Sequence, residues 1–172
     1  MPVDISVTDL LAYTDWEREK WLDFMRRHDA GILEISAGPH GDGRFEKIGE
    51  LIRHIFSAEQ RYVERLSGLP LTDTAGIPWN DAETLFQFGQ RTRRDLRNFL
   101  ETFPAADWDI PRKFTILGNS LSATPRKIVS HILVHEIRHW AQIGTLLRLH
   151  GLTDGFHDFL FSPVLGDPNP GI

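Results

Sequence analysis

The chain has 172 residues, a length that fits one domain and can bury a substantial core. Hydrophobic residues make up 41% of the sequence and charged residues 25%, as in a globular protein. The formal net charge of −5 argues against a mainly electrostatic grip on nucleic acid or on anionic lipid. Because there is no cysteine, any metal must be held by nitrogen and oxygen ligands, and any thiol chemistry needs a small-molecule thiol.

The N-terminal residues 1–10 contain neither the basic region nor the apolar stretch of a signal peptide. No segment is long and apolar enough to be a membrane span. We therefore expect a single domain over residues 1–172, located in the cytoplasm, with neither nucleic acid nor a membrane as a partner.

Four segments with helical periodicity are separated by loops rich in glycine and proline. The first segment is predicted to form a helix over about residues 9–28, with Thr8 as its N-cap. A glycine-rich loop at residues 38–43 follows it. The second helix is predicted over about residues 45–66 and ends before Gly68, a residue suited to terminating a helix.

The third predicted helix begins near Asn80, which together with Glu83 resembles a capping box, and continues to about Phe103. The segment 104–122 that follows is irregular, with a short extended piece near residues 113–116. This irregular segment separates the third helix from the fourth.

The fourth predicted helix has the clearest ends, because Thr124 can cap it, Pro125 fits its first turn and Gly151 terminates it. The tail at residues 155–161 is apolar enough to pack back on the body of the protein. Four amphipathic helices in one domain predict an all-α fold, an antiparallel four-helix bundle. Bundle cores commonly hold metal sites built from facing helices.

The fourth helix carries histidines at steps of four, His131, His135 and His139. Neighbouring ones can share an ion, because i and i+4 differ by about 40° around the helix and about 6 Å along it. The outer two are about 12 Å apart, so one ion cannot bind all three. His139 lies inside the apolar arc and His135 at its margin, which favours this pair and leaves His131 as a supporting or surface residue. The arc consists of Ile128, Val129, Ile132, Trp140, Ile143, Leu146 and Leu147.

A metal site needs a third protein ligand, and His54 is the best candidate because it flanks the apolar stripe of the second helix. The alternative without a metal also stays open, in which these histidines are ordinary packed or solvated helix residues. Weaker candidates at helix ends or in loops are His28, His40, His150 and His157.

Glu59 and Glu136 both project near the middle of apolar arcs, where a carboxylate must be paired, bind a metal or have a raised pKa. Each is a candidate catalytic residue, as a general base or as a partner of a ligating histidine. Each could equally pair with an arginine, and the pattern favours that pairing. The arginines considered are Arg53, Arg61 and Arg138.

The segment from His135 to His139 also matches the HExxH pattern of zinc proteases. The extended form of that pattern requires glycine and a third histidine where this chain has Gln142 and Thr145. No glutamate follows Glu136 to supply a third ligand. The sequence therefore favours other metal-dependent functions over a metallohydrolase.

Residues 48–59, IGELIRHIFSAE, resemble the helix that carries the first metal histidine in the DinB-like family. Residues 131–148 resemble that family's fourth helix, and residues 158–162, DFLFS, resemble the ending of its members. The resemblance covers nearly the whole chain and is most specific in these two helices.

The resemblance implies a four-helix bundle with a long crossover loop. It also implies one divalent ion, nickel or zinc, held by His54, His135 and His139, and a homodimer. Relatives include thiol-dependent S-transferases and a mycothiol-dependent isomerase. We therefore expect a metal-dependent enzyme, a transferase that uses a low-molecular-weight thiol and a small-molecule substrate. The alternatives are a non-enzymatic metal-binding stress protein and an HExxH metallohydrolase.

Overall fold

The computed structural model describes residues 4–28, 30–38, 45–116, 118–153, 155 and 157–166. Four long helices dominate this part of the chain: α1 (Val7–Arg27), α2 (Ile48–Ser67), α3 (Ala82–Thr102) and α4 (Pro125–Leu149). Short 3-10 helices span Ala30–Glu34, Ala105–Asp107 and Phe159–Phe161. Within the described ranges, no helix has the length and apolarity needed to cross a membrane.

A small antiparallel sheet lies between α3 and α4 and departs from the predicted all-α class. Its strands are β1 (Arg112–Ile116) and β2 (Asn119–Ala123), with Phe114 opposite Leu121. The extended piece predicted near residues 113–116 is thus the first strand of a hairpin. Phe114 packs against the apolar cluster formed by the nearby ends of the helices.

Two of the predicted helix caps are wrong by one or two residues. Ser6, and not Thr8, caps α1: its Oγ accepts from the Asp9 backbone at 3.1 Å, and the Asp9 carboxylate accepts from the Ser6 backbone at 2.8 Å. Asp81, and not Asn80, caps α3 by accepting from the backbone of the second helical residue at 3.1 Å. Neighbouring side chains of similar capping ability compete at both sites, and the backbone path selects between them.

The predicted C-terminal end of α2 and both predicted ends of α4 are confirmed, whereas α2 begins at Ile48 and not near residue 45. Gly68 follows α2 in the left-handed conformation, with φ 69°, and Gly151 follows α4 with φ 73°. Thr124 caps α4, because its Oγ1 accepts from the Lys127 backbone at 3.2 Å, and Pro125 occupies the first turn. Both glycines adopt a conformation that side chains disfavour.

α2 packs against α3 and α4, and α1 packs against the same two helices. The buried apolar residues form two clusters. The first cluster includes Trp21, Phe24, Ile52, Phe56, Phe86, Trp140 and Ile143. The second includes Leu11, Val63, Leu96, Phe99, Ile132 and Leu133. On each of the four long helices, a buried charged residue lies between the two clusters. These residues are Arg18, Glu59, Arg93 and Glu136.

The connection between α2 and α3, residues 68–81, runs back along α2. Its contacts in chain order are Thr72 with Glu64, Ala75 and Ile77 with Arg53, and Trp79 with Gly49. Gly49 is required here, because a Cβ at this position would lie 2.0 Å from the carbonyl oxygen of Trp79. As the chain advances, its contacts move from the C-terminal end of α2 to the N-terminal end.

The C-terminal segment packs against α1, as predicted for residues 155–161. The Tyr13 hydroxyl donates to the carbonyl oxygen of His157 at 2.8 Å, and its ring centre lies 5.1 Å from that of Phe159. The predicted glycine-rich loop at residues 38–43 lies outside the described residues except for Gly38.

Candidate metal centre

The side chains of His54, from α2, and of His135 and His139, from α4, converge on one point. His135 Nε2 lies 3.1 Å from His54 Nε2 and 3.1 Å from His139 Nε2. One nitrogen from each ring lies within 4.8 Å of the others. A tetrahedral zinc ion with zinc–nitrogen distances of about 2.0–2.1 Å separates its ligand nitrogens by about 3.3 Å. The three residues could therefore hold one divalent ion.

Ordinary helix packing brings the three rings together. His135 and His139 are one turn apart on α4, so their side chains lie on the same face. His54 faces them because Leu51 and Ile55, its neighbours on α2, are buried in the core and fix the rotation of that helix. The site thus depends on the α2–α4 contact as much as on the spacing within α4.

The Nε2 atoms of the three rings face one another, which limits how many of them can carry a proton. His139 Nδ1 donates to Gln142 Oε1 at 2.9 Å, which leaves a lone pair on His139 Nε2. His135 Nε2 carries at most one proton, yet it faces two other Nε2 atoms. Burial, reinforced by the neighbouring histidines, lowers the pKa of His135 to about 2 and keeps the ring neutral. Neutral imidazole is the form that binds metals, and a cation among the three nitrogens relieves the crowding.

The site is closed on the core side and open on the other. His139 is fully buried, whereas His54 and His135 are partly exposed. The Phe45 ring covers part of His54, with ring centres 4.5 Å apart. Among the described residues, His54 and His135 thus form the exposed side of the site, from which a small molecule can approach.

His131 lies outside the cluster of three nitrogens. It is exposed, and its ring centre is 5.3 Å from that of Tyr62 and 5.5 Å from that of His135. The weaker histidine candidates are engaged elsewhere or not described. His28 and His150 contact backbone carbonyl oxygens one turn earlier, His157 contacts Glu17, and His40 lies outside the described residues.

Glu136, the glutamate of the HExxH pattern, lies in a buried ionic network. Arg18, from α1, donates to both of its oxygens, at 2.6 and 2.7 Å. Arg93, from α3, donates to Oε2 at 2.7 Å, and Trp140 Nε1 donates to Oε1 at 3.1 Å. Strong donors therefore already occupy both oxygens of this carboxylate.

Glu59 belongs to the same network and links α2 to it. Its Oε1 accepts from Thr92 at 2.7 Å, and its Oε2 lies 3.1 Å from Arg18 and 3.3 Å from Arg93. Each of the four charged side chains is less than one-tenth exposed. Each of the four helices thus contributes one charged residue, and α1 and α3 supply the two arginines.

The pairing of both glutamates with arginine is confirmed, but the predicted partners are wrong. The partners Arg18 and Arg93 come from other helices, whereas the sequence pointed to Arg53, Arg61 and Arg138, which are close in the chain. The helical spacing of the sequence could have identified Arg18 and Arg93, because both lie on apolar helix faces. Arg18 shares the apolar face of Trp21 and Met25, and Arg93 that of Phe86 and Leu96. The catalytic role expected for Glu59 and Glu136 stays a prediction.

A family model described as the DinB superfamily matches residues 13–143 of the chain. The matched region includes His54, His135 and His139, together with all four members of the ionic network. A comparison with curated proteins gave no match. Because the family match spans most of the sequence, from α1 into α4, the chain belongs to the DinB superfamily.

Proposed function

We propose that the protein is a metal-dependent enzyme in which His54, His135 and His139 hold one nickel or zinc ion. The observation that carries this proposal is the pair of 3.1 Å contacts that join three Nε2 atoms from two helices. A divalent ion held there would act as a Lewis acid and would lower the pKa of a bound thiol or water molecule.

The ligand set favours a catalytic site over a purely structural one. Structural zinc sites are usually closed by four protein ligands, whereas catalytic sites use three and keep one position open. Among the residues that the structure describes, three histidines form this cluster, and two of them are partly exposed. This arrangement also argues against a protein that only stores the ion, the non-enzymatic stress protein expected as an alternative.

The proposed reaction is the transfer of a low-molecular-weight thiol to an electrophilic small molecule. The chain has no cysteine, so the sulfur must come from a cosubstrate such as glutathione, bacillithiol or mycothiol. The thiol gives up its proton to solvent, and its sulfur forms a carbon–sulfur bond. The bond that breaks gives its electron pair to the leaving group or, in an epoxide, to the ring oxygen, which then takes up a proton. The protein binds and orients both molecules on the open side of the site.

The ionic network supports the transferase over the HExxH metallohydrolase. A hydrolase of that type uses the glutamate between its two histidines as a general base. Here Arg18 and Arg93 hold both oxygens of Glu136, which favours its ionised form and keeps it in the core. Under the transferase proposal Glu136 positions α4 and does not move protons.

We also propose the domain organisation, the oligomeric state and the cellular location of the protein. The four helices form one bundle domain, and residues 68–81 are its crossover loop, since their contacts run the length of α2. The domain works as a homodimer in the cytoplasm, as expected from the sequence.

Metal analysis of the purified protein is the first test. We expect about one nickel or zinc ion per chain, and we expect His54→Ala to lose it. His131→Ala is the matched control, because this histidine lies beside the cluster but outside it, and it should keep the ion. Retention of the full metal content by His54→Ala removes His54 from the site.

A thiol screen is the second test. Metal-loaded protein is incubated with each of the three thiols and with an epoxide or an aryl halide, and thiol consumption is followed. We expect consumption that depends on the metal with one thiol. If the protein holds the ion but consumes none of the three thiols, the transferase proposal fails and the non-enzymatic alternative gains support.

A further inference from the structure

A cavity of about 470 Å³ lies on the face of α4 opposite the three histidines. α1, the C-terminal half of α4 and the described part of segment 152–158 form its walls. Gly144 lines it and lies roughly 180° around the helix axis from His135, because successive residues are rotated by about 100°. None of its described lining residues belongs to the proposed metal centre.

Aromatic rings form the inner wall of the cavity, and a glycine keeps it open. The Trp21 ring is stacked on Trp140, with centres 5.5 Å apart, and on His157, with centres 4.2 Å apart. A Cβ at Gly144 would lie 3.4 Å from the guanidinium of Arg148 and 3.6 Å from the Trp21 ring. A larger side chain at this position would therefore occupy space that belongs to the cavity.

The lining of the cavity includes two carboxylates, Glu17 and Asp158. Glu17 is only 3% exposed, and it accepts from Trp21 Nε1 at 3.0 Å and from His157 Nδ1 at 3.1 Å. Burial, together with the negative charges of Glu17 and Asp158, raises the pKa of Tyr13 in the same wall. Negative charge among aromatic rings is a favourable environment for an organic ammonium group.

The lining also includes the guanidinium side chain of Arg148. Its Nη2 donates to Thr145 Oγ1 at 3.1 Å, and its Nη1 lies beside Gly144. The side chain is therefore folded back along α4 beside the cavity, where it is also exposed to solvent. Arginine binds carboxylates through two parallel hydrogen bonds, so Arg148 suits an anionic group of a ligand.

We propose that this cavity binds a small zwitterion of the amino-acid type. The ammonium group of the ligand lies beside Glu17 and Asp158, and its carboxylate lies on Arg148. A ligand with only an amine would not provide a carboxylate for Arg148. A ligand with only a carboxylate would be repelled by Glu17 and Asp158. The volume falls within the range of about 300–1,000 Å³ that small-molecule sites occupy.

The direct test is calorimetric titration of the full-length protein with two amino acids of different length, γ-aminobutyrate and ε-aminocaproate. Hexylamine and caproate are the matched probes, because each retains only one of the charged groups. We expect saturable binding of at least one amino acid and binding of both single-charge probes that is about tenfold weaker or more.

Variants locate the binding site. Arg148→Gln should weaken the amino acid about tenfold and leave hexylamine unchanged, whereas Asp158→Asn should weaken both. Gly144→Leu should abolish binding by filling the cavity. Arg126→Gln is the control, since Arg126 is an exposed arginine at the other end of α4, and thermal melts verify that each variant is folded. Absence of saturable binding by both amino acids, or amino-acid affinity that is the same in wild type and Arg148→Gln, overturns the proposal.

Discussion

Arg18 and Glu136, 118 residues apart in the chain, form a bidentate ion pair in the centre of the protein. The pair joins α1 to α4, and Arg18 Nη1 also donates to the carbonyl oxygen of Gly89 in α3 at 2.8 Å. It therefore ties together three helices at the level that separates the two apolar clusters. It also engages both oxygens of the glutamate in the HExxH pattern.

Removal of one partner of this pair should strongly destabilise the protein. Arg18→Met leaves Glu136 with a single arginine in the core and removes one of the hydrogen bonds to the Gly89 carbonyl. Breaking a buried ion pair in this way costs about 3–5 kcal/mol, which urea unfolding can measure. Arg126→Met, which breaks an exposed pair with Asp109, is the control and should have a far smaller effect. Equal effects of the two substitutions would contradict a stabilising role for the network.

Removal of both partners should cost less than the sum of the two single changes. The double variant Arg18→Met with Glu136→Leu replaces the pair by apolar side chains and leaves Glu59 and Arg93 to pair with each other. Residues in direct contact have coupling energies of about 0.5–3 kcal/mol in double-mutant cycles. Additive effects would show that the two side chains act independently.

Gln142 should tune the affinity for the metal through His139. Gln142→Leu removes the acceptor that holds the proton on His139 Nδ1 and orients the ring. Loss of such a supporting hydrogen bond weakens metal binding about 10–100-fold. Competition with a chromophoric chelator measures this change. Gln142→Glu restores an acceptor and should retain most of the affinity, and unchanged affinity in Gln142→Leu would show that the bond has no such role.

Metal should stabilise the folded protein only while the three histidines are present. An ion that binds the native state and not the unfolded chain raises the melting temperature as its concentration increases. We expect this increase for the wild-type protein and for His131→Ala, and none for His135→Ala. Calorimetric melts with and without a chelator provide the comparison. An equal metal response in His135→Ala would place the ion elsewhere.

Gly49 should be intolerant of any side chain, because the backbone of Trp79 lies directly on it. Gly49→Ala forces the Trp79 backbone away from α2 and should cost about 1–3 kcal/mol or more. Gly76→Ala, in the same segment, is the control, since its Cβ would meet no atom within 4 Å. Urea midpoints compare the two variants, and a neutral Gly49→Ala would show that this contact is not maintained.

Local sequence signals were enough to predict the helices, several of their ends and the face that two of the histidines share. Apolar residues at helical spacing located four helices. Gly68, Gly151 and the pair Thr124 and Pro125 marked three of their ends, because caps depend on atoms within one turn. The spacing of His135 and His139 placed two rings on one face for the same reason. His54 was named from its helical face and from the family resemblance, since no local rule connects it with a residue 81 positions later.

Only the tertiary structure decided which distant residues meet. The sequence marked Glu59 and Glu136 as buried carboxylates that need a partner. It did not identify Arg18 and Arg93, because their contacts depend on how the four helices are rotated and stacked. The cavity beside Trp21 likewise exists only where α1, α4 and the C-terminal segment enclose it. Periodicity and capping are properties of one helix, whereas ion pairs and cavities between helices follow from packing, which no single segment of sequence encodes.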